Sequence, residues 1–272
     1  MDAYQKYFFD VNGYLVIENA LTSDELGALN KALDENADRI QIRPAEQSLA
    51  AGSPALVAKH GRGDLSGMLM WPKPWCQPFR DLLLHDSTTP VLLELLRDAF
   101  RIDHVYGIIT DEGAEGHVLY GGGTTDDLTH FYEFHHGKMR CGLTVVGWNL
   151  TDVNPGDGGF ACIPGSHQAH YPTPADVARL ETDIGMVKQI SAPAGSAVIF
   201  TEALTHGTLP WKGAQQRRSI LYKYSPGPIA SCERAVPADL GERLEEFTPQ
   251  QQDLLRPPYS PRRFSLIEDT EG

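Results

Sequence analysis

Apolar positions recur at two different spacings along this chain of 272 residues, and the change from one to the other divides it. Tyr7 to Ile17 (YFFDVNGYLVI) reads as a Gly-centred turn followed by a short apolar strand. Thr22 and Glu25 then have the spacing of a capping box, and Leu26, Leu29, Leu33 and Ala37 follow at helical intervals, so a helix is predicted to about residue 39. The segment from about 41 to 78 is rich in Ala, Gly and Pro and has no clean period. It reads as loop, in part a lid. Between Phe79 and Phe100 two helical stretches, FRDLLL and PVLLELLRDAF, are separated by capping residues and Pro90.

From Ile102 the helical period gives way to short runs of strand formers. IDHVYGIIT comes first, then a Gly-rich loop at 121–123 and the cluster HFYEFHHG at 130–137. A continuous strand-like run covers Leu143 to Leu150, and NPGDGG at 154–159 is dense turn chemistry before FACIPGSH. Short strands at regular spacing after a helical part predict a mainly β fold, barrel or sandwich, flanked by helices. The tail from Pro226 is Pro-rich, carries one plausible helix near 238–247, and is expected to wrap the surface. We read the chain as a single domain over 1–272: a helical and loop-rich part to about 100, a β core at about 101–227, and the tail at about 228–272.

Composition narrows the function. A formal charge of -13 argues against nucleic-acid or anionic-membrane partners, since the mean field would repel both. No apolar run has the length of a membrane helix, and the N-terminal MDAYQKYFFD lacks a signal-peptide layout, so a cytoplasmic protein is expected. Cys76, Cys141, Cys162 and Cys232 are scattered without a CxxC and read as reduced thiols.

The candidate chemistry lies in SAVIFTEALTHGTLPWKGAQQRRSILYKYSPG, 196–227. His206 stands where a strand gives way to a loop, and Arg217 opens the returning strand eleven residues later. A metal-binding imidazole and a guanidinium fork that grips a carboxylate suit a non-haem iron oxygenase using 2-oxoglutarate. A solvated Arg and a hydrogen-bonded His would give the same pattern, so the pair alone does not decide. Because strand side chains alternate, only one of Arg217 and Arg218 can point inward.

Three stretches carry a resemblance: FFDVNGYLVIENALTSDEL, LTDVNPGDGGFACIPGSH, and IFTEALTHG with the later RRSILYKY. With these the chain resembles the phytanoyl-CoA dioxygenase-like family of Fe(II)/2-oxoglutarate oxygenases from Phe8 to about Gly227. The resemblance implies a double-stranded β-helix of the jelly-roll, cupin-like kind, with Fe(II) held by His206 and 2-oxoglutarate by Arg217. It also implies a His-x-Asp or His-x-Glu motif eighteen residues before Trp148. That position is His130, but Tyr132 stands two places on and Glu133 three.

Three readings of this departure stay open. A bulge could let Glu133 complete a triad with His130 and His206. Glu202, or Asp126 or Asp127, could supply the carboxylate instead. The site could also lack a carboxylate, as in related halogenases that leave room for chloride, or hold no metal. His135 is a reserve ligand, His117 reads as a surface loop residue, and His167 reads as fixing a turn. The aromatics Tyr106, Tyr120, Phe131, Tyr132, Trp148 and Trp211 are candidates to line a small-molecule pocket. The function implied is oxidation, foremost hydroxylation, of a small organic substrate by O2 with release of succinate and CO2. The competing reading is a metal-deficient binding module.

Overall fold

The computed structural model describes residues 1–122, 127–231 and 240–258. Its N-terminal helix α1 (Ala3–Asn12) begins at a capping box of Asp2 and Gln5 and ends at Gly13, whose φ of 77° is left-handed backbone that glycine adopts without strain. Strand β1 (Tyr14–Ile17) follows, then α2 (Ser23–Asp34), where Thr22 and Glu25 form the predicted box. The segment expected to be loop contains two short strands, β2 (Gln41–Ile42) and β3 (Gly63–Ser66). Helices α3 (Gln77–Asp81) and α4 (Thr89–Leu96) occupy the second helical stretch.

The remaining strands are β4 (Arg101–Thr110), β5 (His117–Tyr120), β6 (Tyr132–His135), β7 (Lys138–Cys141), β8 (Thr144–Asn149), β9 (Gly159–Cys162), β10 (Lys188–Gln189), β11 (Ala197–Thr201), β12 (His206–Leu209) and β13 (Arg217–Ser225). A short helix α5 (Ala175–Ala178) lies between β9 and β10. In the tail, Gly241–Glu246 forms a 3-10 helix, and a further helix α6 (Pro249–Leu254), capped by Thr248 and Gln251, lies beyond the one predicted. Cys232, Asp126 and the last residues of the tail fall outside the described residues. Among the described residues no helix is long and apolar enough to cross a membrane.

Seven strands form one antiparallel sheet in the order β1-β11-β8-β13-β4-β3-β2, and four form a second in the order β10-β9-β12-β5. The fold is the expected mainly β jelly roll with flanking helices. Strand alternation gives the large sheet two different faces. Val146, Trp148, Ile220 and Tyr222 face the helices and join a core with Phe79, Leu83, Leu92 and Leu95. There the Tyr222 hydroxyl donates to the Phe79 carbonyl at 2.6 Å and Tyr224 to the Leu83 carbonyl at 3.0 Å. Helix-end carbonyls left without an intrahelical partner are thereby satisfied.

On the opposite face Tyr14, Val145, Val198, Phe200 and Leu221 pack with Cys162 of the small sheet and with Ile190, which follows β10. Phe160 and Phe200 close this seam, with ring centroids 4.6 Å apart. Between the sheets, beyond that seam, a cavity remains.

Candidate active site

Arg217, Ser219, Leu221 and Lys223 share one face of β13, because residues two apart on a strand point the same way. The first three line the cavity with Asn149, Phe160, His117, Tyr120, Glu202 and His206, among others. Arg218 points the other way. It donates to Asp34 Oδ1 at 2.6 Å and to Asn30 Oδ1 at 3.0 Å, tying β13 to α2.

Arg217 is buried, and its Nε has no hydrogen-bond partner among the described residues. Burial, with Arg62 nearby, pulls its guanidinium down to about 10, which leaves it cationic at neutral pH. A buried cation without a counter-ion costs free energy, so this end of the cavity is built to receive an anion. Gly159 makes room for it: a Cβ there, at φ 80°, would stand 2.9 Å from Arg217 Nε. Ser219 and Asn149, paired across β13 and β8, add polar groups beside it.

At the other end His206 opens β12, buried, with Nδ1 donating to the Leu204 carbonyl at 2.7 Å. Burial lowers the imidazole below its usual range, so it is neutral and Nε2 carries the lone pair. Nε2 faces Glu202 Oε2 at 3.7 Å. A turn brings them together, in which the Leu204 amide donates to the Thr201 carbonyl at 2.9 Å and folds Glu202 back on His206. The other carboxylate oxygen, Oε1, is 2.6 Å from Lys223 Nζ, at contact distance but outside hydrogen-bond angles. Burial alone would raise the Glu202 carboxyl; Lys223, the largest opposing influence, helps to hold the group below the usual range.

The other predicted ligands fall elsewhere. Glu133 lies on the β6–β7 hairpin, whose register runs unbroken from Tyr132↔Cys141 to His135↔Lys138, so no bulge re-aims it. Tyr132 turns toward Phe9 and His167, which points Glu133 away; its side chain is 49% exposed, 3.5 Å from His135. The structure therefore brings Glu202, not Glu133, to His206. His135 is exposed on the same hairpin. His130 precedes β6, with Nε2 buried, lacking a hydrogen bond, 3.6 Å from Asp127 Oδ2. It lies within electrostatic range of both Glu202 and His206.

His117, expected on a surface loop, lines the cavity from β5, and burial with Arg62 nearby lowers it to about 4. His167, in the short 3-10 helix Ser166–Gln168, ties that segment to α1, its Nε2 donating to the Asp10 carbonyl at 3.1 Å. Of the candidate aromatics, Tyr106 and Tyr120 line the cavity, while Trp148 belongs to the helix-side core and Trp211 packs on Ala114 and Val153. Lys223 was missed, although it shares the parity of Arg217 on a strand otherwise rich in apolar residues.

The donor set suits a first-row metal in part. Nitrogen and oxygen ligands sit about 2.0–2.2 Å from such an ion, so two of them 3.7 Å apart can share one. A bare Nε2 and a free Oε2 face each other, and the hydrogen bond on Nδ1 is the support that ligating histidines usually have. Among the described residues no three His, Cys, Asp or Glu side chains gather at ligand distance.

The chain matches the family Phytanoyl-CoA dioxygenase (PhyH) over residues 9–219. No curated protein matches it. Among solved structures, HygX from Streptomyces hygroscopicus with nickel, 2-oxoglutarate and hygromycin B bound is similar at TM-score 0.66 and 22% identity, over 83% of this chain and 88% of that one. HygX with iron bound gives TM-score 0.61 at 25% identity, over 83% and 87%. The non-haem α-ketoglutarate-dependent carbocyclase SnoK from nogalamycin biosynthesis gives 0.60 at 16%, over 84% and 85%. With the family match spanning the helical part and the β core, the chain belongs to the phytanoyl-CoA dioxygenase family and is an oxygenase of the iron- and 2-oxoglutarate-dependent class.

Proposed function

We propose that the protein oxidises a small organic molecule, in the simplest case by hydroxylation, and couples this to conversion of 2-oxoglutarate and O2 to succinate and CO2. The observation that carries the reading is the pairing of buried Arg217, whose Nε has no hydrogen-bond partner among the described residues, with His206 Nε2 and Glu202 Oε2 in one cavity. Along β9, Gly159 lies against Arg217 and Cys162 lies opposite His206. Three residues of strand separate them, about 10 Å, a span that suits a five-carbon diacid held at both ends.

In this reading Arg217 binds the far carboxylate of 2-oxoglutarate as a charge-assisted fork, with Ser219 and Asn149 offering hydrogen bonds beside it. His206 and Glu202 would hold the iron, which supplies the O2 chemistry when bound. Lys223 keeps Glu202 ionised and leaves Oε2 to face the cavity. Phe160, Phe200 and Ile190 exclude water from the reacting region, and fixed groups around the cavity aim one C–H bond of the substrate. The likeness to HygX, whose structure holds hygromycin B, supports a small-molecule substrate. Glu202 beside His206 argues against a carboxylate-free, halogenase-like site.

Calorimetric titration with 2-oxoglutarate under anaerobic Fe(II), for the wild type and Arg217→Ala, tests the anion end. Binding lost in the variant is the result expected. Equal affinity in the two proteins would contradict the assignment.

A further inference from the structure

The two-ligand set of His206 and Glu202 leaves open which protein group completes the metal's protein ligands, and the strand register indicates one. Tyr120 ends β5 directly opposite His206 on β12. Directly opposite residues on antiparallel strands project from the same face with Cβ atoms about 4.5–5.5 Å apart. Here the two ring centroids are 4.4 Å apart, with the planes tilted 54°.

The phenol is placed among the site's charges. Elsewhere Tyr222 spends its hydroxyl on the Phe79 carbonyl, Tyr224 on the Leu83 carbonyl and Tyr132 on Asp10. Among the described residues nothing takes the Tyr120 hydroxyl, although it lines the cavity beside His206 and Glu202. Tyr120 is 37% exposed, so its hydroxyl is left to solvent or to a ligand in the cavity.

The geometry points to Tyr120 as a third protein ligand, a phenol oxygen from β5 that completes a His206, Glu202 and Tyr120 set. This inference rests on the reading of His206 and Glu202 as ligands. On binding, the phenol oxygen bonds the metal and its proton leaves to solvent, since a bound cation stabilises the phenolate. The ligand set then carries two anionic oxygens and one neutral nitrogen, balanced in part by Lys223 on the far oxygen of Glu202. Hard anionic oxygens favour a more oxidised metal, so this site would hold Fe(III) more tightly than two histidines and one carboxylate would.

The test uses the full chain, loaded anaerobically with Fe(II), assayed for bound iron by equilibrium dialysis, and then oxidised with ferricyanide for visible absorption and resonance Raman spectra. A phenolate-to-Fe(III) charge-transfer band is expected in the wild type. Tyr120→Phe, which nearly conserves volume and should fold, is expected to lose the band and to weaken iron binding by about ten-fold or more. Tyr120→His should lose the band yet bind Fe(II) more tightly than Tyr120→Phe. His130→Ala should keep the band. Bound iron without the band, or a band unchanged in Tyr120→Phe, overturns the proposal. Loss of iron in His130→Ala but not in Tyr120→Phe overturns it in favour of His130. Iron uptake absent in the wild type would instead overturn the underlying reading of His206 and Glu202, and this proposal with it.

Discussion

Glu202 turns one oxygen toward His206, with Oε2 3.7 Å from Nε2, while Lys223 occupies the other at 2.6 Å. The carboxylate is thus held in one orientation by a cation behind it. Glu202→Ala should abolish most Fe(II) affinity, because it removes the anionic donor nearest the imidazole. Glu133→Ala, on the exposed hairpin, should retain iron. Equilibrium dialysis of the two variants checks both, and the reverse pattern would return the carboxylate to the hairpin.

The ion pair has its own consequence for stability. Glu202 and Lys223 are both buried, so Lys223→Met leaves a carboxylate without its cation at a cost of about 3–5 kcal/mol. Adding Glu202→Gln to that variant should recover part of the loss, since no buried charge then remains. Urea denaturation of the two single variants and the double variant measures this coupling.

Arg217 and Arg218 are adjacent in sequence and opposite in role. Arg217→Ala should weaken 2-oxoglutarate binding by about 2–5 kcal/mol, roughly 30-fold or more, and Arg217→Lys should fall between because it lacks the planar fork. Arg218→Ala removes a partly exposed pair with Asp34 and should cost about 1 kcal/mol of stability or less. Ligand titration and thermal melts separate the two effects.

Much of this site was legible because strands alternate. That rule, applied to RRS at 217–219, selects one arginine for the cavity, and the change from strand to loop marks His206. Glu202 was harder to choose, since four residues of separation on a strand end would normally set two side chains apart. The turn at 201–204 folds them together, and a turn of that kind has no strong sequence signal in TEALTH. The hairpin misled for the opposite reason. HFYEFHH is dense in ligand-type residues, yet it forms a separate two-stranded sheet whose regular register sends Glu133 to solvent. β5 was overlooked because four residues, HVLY, are too short to show alternation, and with it went the placement of His117 and the pairing of Tyr120 with His206.

His117 sets an acid limit on stability. Its folded-state value of about 4 lies below the ordinary histidine value, so the unfolded chain binds the proton first as pH falls. Its contribution is constant above about pH 7 and turns destabilising between about 6.5 and 4, on the order of 1–3 kcal/mol in all. Denaturation midpoints should therefore decline over that window, and His117→Asn should shallow the decline. An unchanged slope would show that the imidazole takes up its proton in the folded state.

The most direct measurement of the account as a whole is iron and succinate together. Purified protein is loaded anaerobically with Fe(II) and 2-oxoglutarate, the bound metal is counted, O2 is admitted, and succinate is quantified beside Glu202→Ala and Arg217→Ala. One iron per wild-type chain and succinate release are expected. Glu202→Ala should lose the iron, and Arg217→Ala should keep it with little succinate. A wild-type chain that takes up no iron and forms no succinate would contradict the proposed function.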